Sequence, residues 1–315
     1  MKAEDIRAVA VIGGGLIGHG IAQIFASANY SVYLLDIKDE LLAKAVENIR
    51  LNLSTMARKG VGLGGEIETV ISRIKTTTDL DEARYAQLII EAVPENLELK
   101  QQVFQDLDRI CPPEAILSSN TSVISITEIA AKAHHRERIL GTHFWNPPYM
   151  IPLVEVIKAR DTAEEAIETT YQFLKNAGKH PVKVMKDVPG FIGNRLQHAL
   201  WREAISIVEN GIADPASVDD VIKKGFGVRL PVLGPLETAD MVGLDLTLSI
   251  HDYILKHLES SPNPSPLLKE KVEKGELGFK TGRGFQTWSA EEAEKSRSRL
   301  LEYLIEWSKK EKRAK

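Results

Sequence analysis

The sequence predicts an α/β domain built on a doubly wound, mostly parallel sheet, followed by an all-helical C-terminal domain. Over about the first 185 residues, short apolar runs typical of buried strands alternate with stretches of helical character. Such alternation favours a parallel sheet with helices on both faces. Beyond the turn signal Pro189-Gly190 the apolar spacing is helical. We therefore expect two domains, residues 1–186 and 187–315.

The strand predictions rest on short runs of β-branched and apolar residues. In chain order these runs are Ala8–Gly13, Ser31–Asp36, Leu88–Ala92, Ala115–Ser118, Ile139–His143, Leu153–Ile157 and Pro181–Val184. Between the first three runs, helices are expected at 16–29, 40–59 and 66–73, and glycines at 60, 62, 64 and 65 separate the last two helices.

The second domain is predicted to be helical because its apolar residues recur near a 3.6-residue period, most clearly over 191–210. Gly211 ends that helix, and Asp214 and Pro215 supply the N-cap and the first position of the next one. Further helices are expected at 217–224, 235–242, 244–258, 266–274 and 290–311.

The composition is that of an ordinary globular protein of two domains, with 315 residues, 43% of them hydrophobic and 27% charged. The net charge of −4 gives no attraction to nucleic acid or to an anionic membrane, and no apolar run approaches the roughly 18 residues of a membrane span. Cys111 is the only cysteine, so no intramolecular disulfide can form. We expect a cytoplasmic protein. The sequence has no HExxH or CxxC motif, and we expect no metal.

A glycine-rich turn joins the first expected strand to the first expected helix. Gly13, Gly15 and Gly18 match G-x-G-x-x-G, and the second strand ends in an acid, Asp36. In a dinucleotide site such glycines let the backbone approach the pyrophosphate, whose charge the N–H groups of the helix start receive. An acid at the end of the second strand binds ribose hydroxyls and repels a 2′-phosphate, which favours NAD over NADP.

These residues predict a Rossmann-type NAD site, and the alternative is a glycine-rich turn with an incidental acid. The candidate cofactor residues of this turn are Gly13, Gly15, Leu16, Ile17, Gly18 and Asp36.

A histidine and an acid occupy two neighbouring expected strands. His143 ends one strand, and Glu155 lies between two valines in the next. Because an unpaired buried carboxylate is costly, Glu155 is expected to have a partner. The turn 146–148 (Asn-Pro-Pro) can fold its strand back beside His143. The pair would be a general base and the acid that fixes its tautomer. A structural core histidine is an equal alternative on spacing alone.

Motifs along nearly the whole chain extend this pattern. They are VIGGGLIG (11–18), PENLELK (94–100), SNTS (119–122), HFWNP (143–147), LVEVI (153–157), KDVPGFIGNR (186–195) and KTGRGF (280–285). Together they resemble the 3-hydroxyacyl-CoA dehydrogenase family. The resemblance implies a Rossmann-type NAD-binding domain and a helical domain that forms a homodimer. It also implies that His143, oriented by Glu155, is the base in the reversible oxidation of an L-3-hydroxyacyl-CoA, as in fatty acid β-oxidation.

The resemblance assigns roles to four further residues. Ser122 and Asn194 match positions that hydrogen-bond oxygen atoms of the substrate, and Glu95 and Lys100 match positions near the cofactor. Three of the four have a structural alternative. Ser122 suits the N-cap of a helix that starts near Ile124, and Asn194 suits a cap or turn at the start of its helix. Lys100 suits a solvated position on a helix.

Two features depart from the typical acyl-CoA members, which have Phe-Phe-Asn-Pro and then a non-proline after the histidine. Here Phe-Trp-Asn-Pro-Pro follows His143, and Pro94 precedes Glu95. Both features are similar to a branch that acts on small non-CoA hydroxy substrates. It includes L-gulonate 3-dehydrogenase with lambda-crystallin, carnitine dehydrogenase and a vitamin B6-degrading dehydrogenase. A dehydrogenase of a small hydroxy acid is therefore the second hypothesis, and a non-catalytic, crystallin-like NAD-binding protein is the third.

A CoA thioester needs cations for its phosphates. Arg58 and Lys59 lie in the helix-end region where the family places such contacts, although a basic pair also suits a helix C-terminus. We expect an L-3-hydroxyacyl-CoA as the substrate, with Ser122, Asn194, Arg58 and Lys59 as the substrate-binding residues.

Overall fold

The computed structural model describes residues 1–61 and 66–314, so the glycines at 62, 64 and 65 lie outside the described residues. Its strands are β1 (Ala8–Ile12), β2 (Ser31–Leu35), β3 (Ile74–Thr77), β4 (Leu88–Glu91), β5 (Ile116–Ser119), β6 (Ile139–Phe144), β7 (Leu153–Ile157) and β8 (His180–Val184). Its helices are α1 (Gly18–Ser27), α2 (Asp39–Arg58), α3 (Ile67–Ile71), α4 (Leu97–Ile110), α5 (Ile126–Ile129), α6 (Glu164–Asn176), α7 (Gly193–Glu209), α8 (Pro215–Lys224), α9 (Pro235–Val242), α10 (Leu244–Ile254), α11 (Pro266–Glu273) and α12 (Ala290–Ala314).

The strands form one sheet in the order β3-β2-β1-β4-β5-β6-β7-β8. Neighbouring strands are parallel, except that β6 and β7 are antiparallel. The chain runs from β1 to β3 on one side and then returns to β4 on the other, so the strand order reverses between β1 and β4. α/β sheets bind ligands at the carboxyl ends of the strands beside such a reversal. The expected doubly wound, mostly parallel sheet is therefore confirmed.

Every strand expected from the sequence is present, but β3 was not expected. Its four residues, IKTT, include a single strongly apolar side chain, and none of the four is buried at this edge of the sheet. The helix expected over 16–29 is shorter, from Gly18 to Ser27, because the glycine-rich turn occupies the preceding residues. The helix expected over 244–258 ends at Ile254.

Apolar side chains cover both faces of the sheet, which explains why its strands appear in the sequence as continuous apolar runs. On one face, Val9 and Val11 of β1 belong to a core that includes Phe25 of α1. On the other face, Ala10 belongs to a core that includes Phe104 of α4. All five side chains are fully buried, and this double packing holds the carboxyl ends of the strands in place.

The chain divides into two compact units. One is Met1–Arg195 with Leu301–Lys315, and the other is Leu196–Leu300. The second unit is helical, as expected, whereas the predicted domain boundary at residue 187 stays a prediction. Helices α8, α9, α10 and α11 contain no buried residue in the single chain. In the described ranges, no helix is both long enough and apolar enough to cross a membrane.

Candidate active site

The turn after β1 brings backbone atoms unusually close together. Gly13 has a φ of 102°, a conformation that L side chains rarely adopt. A Cβ on Gly18 would lie 1.7 Å from the carbonyl oxygen of Gly13, so glycine alone lets α1 start this close to the end of β1. A Cβ on Gly15 would have no atom within 4 Å. The surface at Gly15 is therefore open to an approaching ligand.

Asp36 follows β2 and is tied to the glycine-rich turn. Its Oδ2 accepts a hydrogen bond of 2.7 Å from the N–H of Gly14, and its Oδ1 accepts one of 2.7 Å from the N–H of Ile37. Gly14 was not among the expected cofactor residues, because the G-x-G-x-x-G pattern leaves its position free. The expected carboxylate thus lies directly beside the turn that the motif predicted.

The turn also offers donors for an anion. In the described part of the chain, the N–H groups of Leu16 and Ile17 donate no hydrogen bond, and they directly precede α1, whose N-terminus carries partial positive charge. His19 Nδ1 donates to the Gly15 carbonyl at 2.7 Å. Burial lowers the pKa of His19, against the effect of that hydrogen bond, and keeps the ring neutral. These donors suit the pyrophosphate of NAD, and Asp36 suits its adenosine ribose.

His143 and Glu155 are direct neighbours in the sheet. They face each other in the antiparallel register of β6 and β7, and His143 Nδ1 lies 2.8 Å from Glu155 Oε2. Both side chains are buried, with 5% and 2% of their surface exposed. The turn between the two strands folds Glu155 back onto His143, as the sequence suggested. A histidine with Nδ1 held by a carboxylate has Nε2 free to accept a proton.

The carboxylate of Glu155 also accepts hydrogen bonds from the backbone at the start of α7. Its Oε1 accepts the N–H groups of Ile192 and Gly193, each at 2.9 Å, at the start of α7. Trp145 Nε1 lies 3.4 Å from the Oε2 that also bonds His143. Burial raises the pKa of Glu155, but the hydrogen bonds from His143, Gly193 and Ile192 outweigh it and hold the pKa below its ordinary value. The carboxylate is therefore ionised beside His143.

Glu95 fixes the segment that follows β5. Its Oε1 accepts the N–H groups of Ser122 at 3.1 Å and Val123 at 3.2 Å, together with the hydroxyl of Thr121. Burial raises the pKa of Glu95, but the Thr121 hydroxyl, the charge of Lys100 and the two N–H groups bring it below the ordinary value. The ionised carboxylate thus anchors the backbone at Ser122.

Ser122 and Asn194 are in contact across 72 residues of sequence, because Asn194 Nδ2 donates to the Ser122 carbonyl at 2.9 Å. The alternative that Ser122 is a helix N-cap is wrong, since α5 begins at Ile126 and Ser125 caps it. Asn194 lies in the first turn of α7, and its amide bonds to Ser122. Ser122 is exposed, so its hydroxyl is accessible to a ligand.

The alternative of a solvated Lys100 is also wrong. The side chain is fully buried, with Nζ 2.7 Å from Glu91 Oε1 and 3.4 Å from Glu95 Oε2. Glu91 is fully buried as well, and its Oε2 accepts the Ser119 hydroxyl at 2.6 Å. Buried charges need such partners. Lys100 therefore joins the end of β4 to the Glu95 segment, and Glu91 joins the end of β4 to the end of β5.

Arg58 and Lys59 lie at the C-terminal end of α2. Arg58 Nη2 donates to Thr55 Oγ1 at 3.3 Å, and Lys59 Nζ lies 3.0 Å from Glu302 Oε1 in α12. Across the described residues, no hydrogen bond or ion pair links either cation to His143 or Glu155. Their expected role in substrate binding stays a prediction. Within the same described ranges, no group of three or more His, Cys, Asp or Glu side chains is arranged to hold a metal ion.

Comparison with known proteins identifies the family. Residues 8–188 match the model of the 3-hydroxyacyl-CoA dehydrogenase NAD-binding domain, and residues 190–288 match that of the 3-hydroxyacyl-CoA dehydrogenase C-terminal domain. A probable 3-hydroxybutyryl-CoA dehydrogenase of Bacillus subtilis is 41% identical over 282 residues, which cover 89% of this chain and 97% of that protein.

A second relative has another substrate in its name. The 5-formyl-3-hydroxy-2-methylpyridine 4-carboxylate 5-dehydrogenase of Mesorhizobium japonicum is 32% identical over 95% of this chain and 96% of its own length. A crystal structure of a dehydrogenase of this name, described as an NAD+-dependent dismutase, has a TM-score of 0.89 at 32% identity and covers 96% of this chain and 97% of that one.

The structure of an (S)-3-hydroxybutyryl-CoA dehydrogenase from Ralstonia eutropha has a TM-score of 0.76 at 35% identity, over 90% of this chain and 99% of that chain. Over most of its length the chain is thus similar both to relatives named for acyl-CoA substrates and to one named for a pyridine carboxylate. The chain belongs to the 3-hydroxyacyl-CoA dehydrogenase family, whose members are NAD-dependent oxidoreductases acting on CH–OH groups.

Proposed function

We propose that this chain oxidises the hydroxyl group of an L-3-hydroxyacyl-CoA, such as 3-hydroxybutyryl-CoA, with His143 as the general base. The observation that carries the proposal is the buried His143–Glu155 pair, 2.8 Å apart. His143 lies near the carboxyl end of β6, at the same edge of the sheet as the glycine-rich turn after β1. Enzymes of this fold place cofactor and substrate along that edge.

His143 and Glu155 divide the proton transfer between them. Glu155 holds the proton of Nδ1, which leaves the Nε2 lone pair to accept the proton of the substrate hydroxyl. The ionised carboxylate then stabilises the imidazolium. The glycine-rich turn and Asp36 would hold NAD, which would supply the acceptor for the hydride of the hydroxyl-bearing carbon. In the reverse direction Nε2 returns its proton to the oxygen, so the same pair serves reduction.

Ser122 and Asn194 are proposed to orient the substrate oxygen. The Ser122 hydroxyl is exposed, while the backbone of Ser122 is held by Glu95 on one side and by Asn194 Nδ2 on the other. This double anchoring fixes the position of the hydroxyl before a ligand arrives, and preorganised donors lower the cost of orienting a reacting group. Glu95 and Lys100 contribute by holding this segment beside the cofactor turn.

A small hydroxy acid without CoA is the second candidate, and two observations favour it. The similarity to the pyridine carboxylate dehydrogenase covers 95% of the chain, so it extends beyond residue 288, where the family model of the C-terminal domain ends. Beyond residue 288, Leu304 and Ile305 of α12 cover the end of α2, because they pack with Met56 and Val61 in one apolar cluster. The ion pair between Lys59 and Glu302 there occupies one of the two cations expected to bind CoA.

A substrate panel separates the two candidates. NADH formation at alkaline pH is measured with L-3-hydroxybutyryl-CoA, L-carnitine, L-gulonate and 3-hydroxybutyrate, with His143→Ala as the inactive control. The proposal predicts the highest kcat/KM with L-3-hydroxybutyryl-CoA. Turnover of a free acid with no turnover of the thioester would replace it with the second candidate. Tight NAD binding without turnover of any substrate would contradict both.

We also propose that two copies of the chain form a homodimer through the helices of the second unit. Large apolar side chains are exposed on this unit, with Val232 and Leu236 each 80% exposed, and exposed apolar patches of this kind mark association surfaces. Sedimentation velocity should give twice the 34.9 kDa chain mass. Leu236→Asp should shift the protein toward the monomer, and a wild-type monomer at micromolar concentration would contradict the proposal.

The proposed setting is the cytoplasm and fatty acid β-oxidation. Its supports are the free, buried Cys111 and the relatives named for 3-hydroxybutyryl-CoA. Burial raises the pKa of the Cys111 thiol to about 11, which makes it unreactive. Fractionation of cells that produce the tagged protein tests the location.

A further inference from the structure

Trp145 contacts both His143 and Glu155 but takes no part in the proposed proton transfer between them and the substrate. It follows β6 directly, and its indole ring centroid is 5.2 Å from that of His143. Its Nε1 donates to Glu155 Oε2 at 3.4 Å, and that same oxygen receives His143 Nδ1 at 2.8 Å. The tryptophan and the histidine therefore share one carboxylate oxygen.

The ring of Trp145 also fits against the start of α7. A Cβ on Gly193 would lie 2.3 Å from Trp145 Cζ2, well inside van der Waals contact. Gly193 does not have a positive φ, so its backbone conformation does not require glycine, and the nearest obstacle to a side chain is this ring. The N–H of Gly193 donates to Glu155 Oε1 at 2.9 Å. Trp145 thus donates a hydrogen bond to Oε2 of Glu155 and packs against Gly193, whose N–H donates to Oε1 of the same carboxylate.

Among the described residues, no further charged group makes a hydrogen bond or an ion pair with the side chain of His143 or Glu155. Within the described residues, the hydrogen-bond partners of His143 and Glu155 are each other, Trp145 and the N–H groups of Ile192 and Gly193. The ring of Phe191 lies 5.8 Å from that of His143, centroid to centroid, and is tilted by 56° against it. On the other side of β7, the residue that pairs with Glu155 is the uncharged Val182.

We propose that Trp145 is a positioning residue that sets how strongly Glu155 holds the proton on His143, a role that rests on the proposed function of His143 as the base. The indole N–H draws charge from Oε2, and the charge left on that oxygen stabilises the imidazolium. Without this donor the carboxylate would stabilise the imidazolium more strongly, so His143 would lose its proton less readily. The ring also keeps the Gly193 N–H aligned with Oε1.

The direct test is Trp145→Phe, which removes the indole N–H and the outer, six-membered ring that packs against Gly193. With the substrate that the wild type oxidises fastest, the acid limb of the kcat/KM profile should shift to higher pH by about 0.4 to 1 unit, the range expected for loss of one hydrogen bond. NAD affinity, measured by calorimetry, should be unchanged, because among the described residues no hydrogen bond or ring contact joins Trp145 to the glycine-rich turn. Trp201→Phe, at a half-exposed tryptophan of α7, is the matched control and should leave the limb in place.

Gly193→Ala tests the contact from the other side. The added methyl group should push the ring away and lower kcat by about tenfold to a hundredfold, a cost typical of misplacing a catalytic group by about 1 Å. Because Phe lacks the outer ring that collides with the methyl group, the double variant Trp145→Phe/Gly193→Ala should recover part of that loss. Rescue of this kind would not follow from a merely structural role of Gly193.

Two results would overturn the inference: an acid limb that does not move in Trp145→Phe, or a double variant no better than Gly193→Ala. Either result would leave the proposed function intact as long as the wild type has an acid limb and His143→Ala is inactive. A fully active His143→Ala variant would instead refute the role of His143, and the positioning role of Trp145 with it.

Discussion

Replacing Glu155 with glutamine changes the charge of the proposed dyad with little change in size. The carboxylate accepts two backbone N–H groups at 2.9 Å on Oε1 and His143 Nδ1 at 2.8 Å on Oε2. A glutamine amide has a single carbonyl oxygen, so it can satisfy only one of these sides. If the oxygen faces Ile192 and Gly193, the NH₂ group faces His143. The histidine then has to carry its proton on Nε2, where the substrate proton should be accepted.

The expected loss follows from that exchange of tautomers. General base catalysis contributes about 10²- to 10⁴-fold to rate, or roughly 3 to 5 kcal/mol of transition-state stabilisation, and Glu155→Gln should remove most of it from kcat. Steady-state NADH formation measures the loss. NAD binding, measured by calorimetry, should change little, because Glu155 has no contact with the glycine-rich turn among the described residues.

A matched control is Glu168→Gln, which changes the same charge at an exposed glutamate of α6 paired with Lys183. An exposed ion pair contributes little, so this variant should keep the wild-type kcat. A Glu155→Gln variant that keeps kcat within about threefold of the wild type would contradict the proposed role of Glu155, because loss of a general base should cost at least about 10²-fold.

Three further predictions concern stability. Lys100→Met leaves Glu91 buried without its cation and should lower the free energy of unfolding by about 3 to 5 kcal/mol in urea denaturation; an unchanged midpoint would contradict the buried pair. Burial lowers the pKa of Lys179 to about 7, so the unfolded chain binds its proton more tightly, and wild-type stability should rise from about pH 7 toward pH 10.5. This rise in stability should be smaller in Lys179→Met, and an equal rise with pH in both proteins would contradict the lowered pKa of Lys179. Ile305→Ala removes a buried side chain of α12 and should cost about 2 to 5 kcal/mol, whereas Lys310→Ala, near the end of the same helix, should cost almost nothing.

The sequence predicted the sheet well because its strands are buried on both faces and appear as uninterrupted apolar runs. β3 escaped prediction because an edge strand needs few apolar residues, and IKTT has only one strongly apolar side chain. The pairing of His143 with Glu155 was predictable for a local reason. A carboxylate between two valines needs a partner, and a short turn joins its strand to that of the histidine.

Contacts between distant segments were not predictable in this way. Lys100 has the sequence context of a solvated helix lysine, and its burial depends on Glu91 and Glu95, which only the folded ends of the strands bring together. The contact between Asn194 and Ser122 spans 72 residues, and the fit of Trp145 against Gly193 likewise joins two separate elements. Single-residue patterns carry no signal for such contacts, whereas the glycine-rich turn is local and was predicted with its acid.

The central claim is that His143 is the base of an NAD-dependent dehydrogenase. Its most direct test is the single-turnover rate of hydride transfer to NAD, measured for the wild type and for His143→Ala with the substrate that the wild type oxidises fastest. We predict that His143→Ala lowers this rate by about 10²- to 10⁴-fold and retains NAD affinity. A His143→Ala variant that transfers hydride at the wild-type rate would contradict the central claim.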